Sequence, residues 1–185
     1  MKAAIEHDAE AQRALLSGDA TAAAKAFRTA AELYRRSWEQ APPRSYGRLV
    51  GMLKAAILAG DGAQEATYAG AALADEAGVA DSPTASYARA LAALVLGEDG
   101  EARRWAATMG AGQEAFERTA QAIAALAGRD ERAYAATLEQ IVADFERRSG
   151  HLTGVAIADT ALMLERLAAA RGMAAGVKSP LLPAP

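Results

Sequence analysis

Four short stretches decide the fold of this chain: LLSGD at 15–19, LAGDG at 58–62, LGEDG at 96–100 and LAGRD at 126–130. Each follows an Ala/Leu-rich amphipathic stretch and precedes another. Glycine takes the left-handed backbone conformation needed just past a helix end at no steric cost. Asp19, Asp61, Asp99 and Asp130 then stand near the next helix start. There a carboxylate accepts free backbone N–H groups and meets the helix dipole favourably. Four such turns between amphipathic segments predict stacked antiparallel helical hairpins.

Working outward, the pattern predicts nine helices, at 3–17, 20–39, 44–59, 63–77, 84–96, 99–109, 113–127, 131–148 and 154–171. Pro42-Pro43 ends the second, because proline lacks an N–H and restricts the residue before it. Asp81-Ser82-Pro83 reads as a cap with proline opening the fifth. Gly110 and Gly112 separate the sixth from the seventh, and 149–154 forms the turn before the last. Apolar residues recur on one face: Ala23, Phe27, Ala30, Leu33 and Tyr34 in the second helix, and Tyr134, Leu138, Ile141, Val142 and Phe145 in the eighth. Alanine supplies more than a quarter of the chain and aromatics only 5%. Such a core uses small side chains and close helix contacts, and scarce Val and Ile leave little material for strands. Residues 1–178 read as one all-α domain, with Pro-rich SPLLPAP at 179–185 as a C-terminal tail.

Composition narrows the function. The net charge of -3, from 20 basic and 23 acidic residues, shows no basic stripe and argues against a nucleic-acid partner. There are no cysteines, so disulfides and thiolate chemistry are absent. The charged N-terminus is not a signal peptide, and no apolar run approaches a membrane span, which makes the cytoplasm the expected compartment. His7-x-x-Glu10 shares one helical face and His151 lies in the last turn region; both read first as ordinary polar surface. Glu131, Glu139, Asp144, Glu146, Asp159 and Glu165 could do acid–base or metal work only if buried face to face. No phosphate loop, zincin motif or nucleophile elbow is present. No cofactor and no intrinsic catalysis are expected.

The segment GDATAAAKAFRTAAELY, 18–34, resembles the second half of a tetratricopeptide repeat. Gly18, Ala23, Phe27 and Ala30 occupy the family's turn-glycine, small, aromatic and alanine positions. Later units keep Ala102 and Ala106 after Gly97, and Ala133 after Gly128, without the aromatic. The turn glycines stand 42, 37 and 31 residues apart rather than at a fixed interval. The resemblance implies a divergent tetratricopeptide-like α-solenoid, a stack that binds another protein or peptide on the concave face made by the first helix of each pair. Some bacterial immunity proteins are similar solenoids.

RRSW at 35–38 and ARRW at 102–105 each join two arginines to a tryptophan, the residue types that dominate interfaces. The expected partner-binding residues are Arg35, Trp38, Tyr46, Arg48 and Leu53. The apolar face of 155–167 either closes the stack or pairs two copies, so a homodimer is expected if the eighth helix leaves it open. The functional expectation is a protein–protein interaction module with a regulatory or scaffolding role. The alternatives are an immunity-type inhibitor of a toxin, and a helical enzyme or metal-binding protein using paired carboxylates.

Overall fold

In the computed structural model, residues 1–74, 82–109 and 114–183 are described. Among them are nine α-helices and no strand: α1 (Lys2–Leu16), α2 (Ala20–Glu39), α3 (Gly47–Ala59), α4 (Ala63–Ala72), α5 (Pro83–Leu96), α6 (Asp99–Met109), α7 (Glu114–Gly128), α8 (Glu131–Glu146) and α9 (Asp159–Ala169). The Asp81 cap, the Gly110/Gly112 turn and the end foreseen for the fourth helix lie outside the described residues.

The four turns form hairpins, with differences in detail. Gly18, Gly60 and Gly97 have φ of 83°, 94° and 76°. At the fourth turn α7 continues through Gly128, and Arg129 takes the left-handed position at φ 57°. Asp19 and Asp130 accept from Ala22 N and Ala133 N, each at 2.9 Å. Asp99 instead receives Arg171 Nη1 at 2.6 Å, so it ties down the C-terminal end of the fold. Ser82 caps α5 through Ala85 N, with Pro83 opening the helix.

Consecutive helices pack side by side from α1 to α8, and α3 touches α5, which touches α7. The odd helices α3, α5 and α7 thus form one layer and the even helices another. In α3, Leu49, Met52, Leu53 and Ala55 through Ala59 are all buried; in α5, Ala85 through Leu94 are buried except at Arg89. A helix buried around most of its circumference is covered on both sides. The even layer covers one side. On the other, α9 leaves the sequential stack and crosses to α3, α7 and α8.

This placement revises the C-terminal expectation. Helix α9 begins at Asp159, five residues later than foreseen, and 147–158 is a loop whose Val155 and Ile157 pack on Ala9 of α1. The apolar face on which the homodimer expectation rested is covered within the chain: Val155, Ile157, Ala158, Ala161, Met163, Leu164 and Leu167 are all buried. Residues read as a tail are docked. Ala158 N donates to the Leu181 carbonyl at 2.9 Å, and Leu181 and Leu182 pack on the core. Glu165 accepts the Ala175 and Gly176 N–H groups, at 3.0 and 2.9 Å, and the Tyr134 hydroxyl at 2.8 Å.

Candidate functional site: a polar cleft at the start of helix nine

Helix α3 carries one charge within an otherwise apolar run, Lys54 in LVGMLKAAILA. Its ammonium reaches across the odd-helix face to α9, donating to Asp159 Oδ2 at 2.6 Å and Thr160 Oγ1 at 3.2 Å. The two side chains are only 19% and 22% exposed. Burial is the largest single influence on the Lys54 pKa and pulls it down, but Asp159, Tyr87 and Asp8 together outweigh it and the net shift is upward. Lys54 is therefore a cation at neutral pH, and the pair joins residues 105 positions apart.

A second acidic group completes the cluster. Asp8 on α1 accepts the Tyr34 hydroxyl and Gln12 Nε2, both at 3.2 Å. Burial raises its carboxyl to about 6 and Asp159 adds to the rise, while Lys54 and the two hydrogen bonds pull the other way. Gln12 also accepts from Thr153 Oγ1 at 2.5 Å, which holds the loop before α9 against α1. Tyr34 lies flat on Gly51, where the backbone of α3 approaches so closely that a Cβ would stand 2.8 Å from the ring.

Two adjoining cavities open beside this cluster. One, of about 140 Å³, is walled by Tyr87, Phe116, Ile141 and Phe145 and rimmed by Arg118, Asp144, Arg148 and Thr160. Tyr87 and Phe116 meet edge-on at 6.1 Å. The other, of about 180 Å³, is polar, with Gln12, Lys54, His151, Thr153 and Asp159 among its walls. The two share Phe145, Arg148 and Thr160. Arg148 lies over the Phe145 ring at 3.7 Å, and its Nε and Nη2 donate to Asp144. Burial pushes the Tyr87 hydroxyl up to about 12, so it stays protonated.

Of the residues singled out in the sequence, Asp144, His151 and Asp159 line this cleft, while the expected partner-binding residues fall elsewhere. Leu53 is fully buried and Tyr46 only 3% exposed, so neither offers a contact surface. Trp38 stacks on Tyr46 at 6.0 Å, and Arg48 binds the Ser37 carbonyl of α2. Arg35 is exposed, pairs with Glu39 and covers the Tyr68 ring at 4.2 Å. His7 bonds Glu10 at 3.1 Å on the surface, and His151 stacks on Phe145. The carboxylates do not converge. Asp144 is held by Arg118, Arg147 and Arg148, Glu146 accepts the Ser179 hydroxyl, and Glu165 anchors the C-terminal segment. Among the described residues no group of three or more His, Asp or Glu side chains could hold a metal, and no helix is long and apolar enough to cross a membrane.

The sequence reading passed over Lys54, Asp8, Gln12 and Thr160. Lys54 had a signal: one lysine inside an apolar helix needs a buried partner. Asp8, Gln12 and Thr160 had none, since their roles depend on α9 crossing to α3. No family model matches the sequence, nor does any curated protein or solved structure.

Proposed function

We propose that this chain is a protein-interaction module of the tetratricopeptide-like kind, regulatory or scaffolding in role and without catalysis of its own. The observation that carries this reading is a set of arginine–aromatic pairs along the even-helix side. Arg35 of α2 covers Tyr68 of α4 at 4.2 Å. Arg104 and Arg89 lie 4.5 and 5.1 Å from the ring of Trp105 on α6. Trp38, Tyr68 and Trp105 are all half-buried, leaving part of each ring to solvent. Arginine, tryptophan and tyrosine dominate binding energy in protein interfaces, and pre-stacked side chains lose little entropy on contact. The odd-helix face, where the family resemblance would place a ligand, is taken up by α9 and the segment after it. The contact surface in this reading is therefore α2, α4 and α6.

The test is affinity capture with wild type, an Arg35→Glu/Trp105→Ala variant, and a Leu152→Ser control on a separate exposed loop. A protein partner retained by wild type and control but lost by the double variant, at unchanged helicity, is the expected result. A partner that binds all three equally would refute this surface.

A further inference from the structure

We propose that the two cavities at the start of α9 form one site for a small apolar carboxylic acid, its ring or branched alkyl group among Tyr87, Phe116 and Phe145, and its carboxylate among Tyr87, Lys54 and Arg148. This site is independent of the even-helix contact surface.

Size sets the apolar part. A cavity of about 140 Å³ matches the roughly 150 Å³ that accommodates a benzene ring. The rings of Tyr87, Phe116 and Phe145 and the Ile141 side chain offer contact to apolar carbon, while Arg118, Asp144, Arg148 and Thr160 supply the polar part of the lining.

Unused donors set the polar part. Tyr87 is only 8% exposed, and its hydroxyl is buried without a hydrogen bond of normal geometry. The neighbouring Thr160 hydroxyl, which accepts from Lys54 and donates to Asp159, is close enough to act on it but does not meet it in hydrogen-bond geometry. A buried hydroxyl left in this state is destabilising, and an incoming acceptor relieves it. The Lys54 ammonium has three N–H bonds and uses two, on Asp159 and Thr160. Arg148 commits Nε and Nη2 to Asp144, leaving Nη1. Helix α9 also starts here without a side-chain cap, so its first-turn N–H groups add positive potential. The charged groups lining the cavities are Lys54, Arg118 and Arg148 with Asp144 and Asp159, and Asp8 and Glu114 stand beside Lys54 and Arg118.

The probe is 3-phenylpropionate, titrated into the full chain by calorimetry, with 3-phenylpropionamide as its neutral isostere. The acid is expected to saturate with a Kd of about 0.1–1 mM and the amide to bind at least about tenfold more weakly. Tyr87→Phe should weaken the acid about tenfold and the amide clearly less, because a neutral carbonyl is a weaker acceptor than a carboxylate; a merely structural role for Tyr87 would weaken both alike. Ala115→Trp, at an exposed position on the cavity wall, should abolish binding of both at unchanged helicity. A tetrapeptide ending in phenylalanine with a free carboxylate separates two sources of the same chemistry. Tighter binding than phenylpropionate identifies a chain terminus as the ligand, and weaker binding a free acid. The proposal is overturned if the acid does not saturate below about 10 mM, if the amide binds as well as the acid, or if Ala115→Trp leaves binding intact.

Discussion

Substituting Gly51 by alanine should destabilise this protein, although the same change stabilises most helices. Gly51 lies inside α3, where alanine gains about 1 kcal/mol of intrinsic helix propensity. Its added Cβ, however, would stand 2.8 Å from Tyr34 Cε1 and 2.9 Å from Cδ1 and Cζ. The Tyr34 ring is 1% exposed and is held by its bond to Asp8, so it has little room to retreat. Forcing extra volume into a filled core costs about 1–3 kcal/mol, and loosening a part-buried hydrogen bond adds about 1 kcal/mol. The balance is a loss of about 1–3 kcal/mol, or a Tm lowered by about 3–9 °C for a chain of this size. Gly70 in α4 is the internal control. A Cβ there meets nothing within 4 Å, so Gly70→Ala should gain about 0.5 kcal/mol. Urea titrations of both variants by far-UV circular dichroism give the comparison. A Gly51→Ala protein as stable as Gly70→Ala would refute the close α2–α3 approach.

The raised Asp8 carboxyl makes stability pH-dependent. The folded chain holds this proton up to about pH 6 and the unfolded chain only to about 3.8. The stability it confers is full below the lower value and lost as pH rises through 6, on the order of 2–3 kcal/mol. Asp8→Asn should flatten that part of the stability–pH curve and gain about 1–2 kcal/mol at pH 8, less one lost acceptor bond; a wild-type-like slope in the variant would count against the assignment. Glu165→Ala should cost about 2–3 kcal/mol by stranding the Tyr134 hydroxyl and two backbone N–H groups. It should also speed amide exchange at Ala175 and Gly176, and unchanged exchange there would contradict the docking of the C-terminal segment.

Local rules made most of the helices legible. Turn glycines, N-cap aspartates and the proline pair act within a few residues, so α1 to α8 begin and end near where those signals stand. Long-range placement was not legible. Residues 154–158 are apolar enough to read as helix, but their burial comes from packing on Ala9 of α1 and from Leu181 accepting the Ala158 N–H. Tyr46 and Leu53 read as a groove face because α3 was assumed to have one open side. Its nearly continuous apolar run, broken only by Lys54, carried the contrary information that both sides are covered. The candidate cleft follows from the same placement: without α9 against α3, neither the Lys54 partner nor the polar cavity exists.

The crossing of α9 over α3 is the central claim, and a double-mutant cycle on Lys54 and Asp159 tests it most directly. Lys54→Met and Asp159→Leu should each cost about 2–3 kcal/mol, because each leaves a mostly buried charge without its partner. The double variant replaces the pair by apolar contact and should cost clearly less than the sum, giving a coupling of at least about 1 kcal/mol. Free energies that simply add, within about 0.3 kcal/mol, would place the two residues apart and contradict the account.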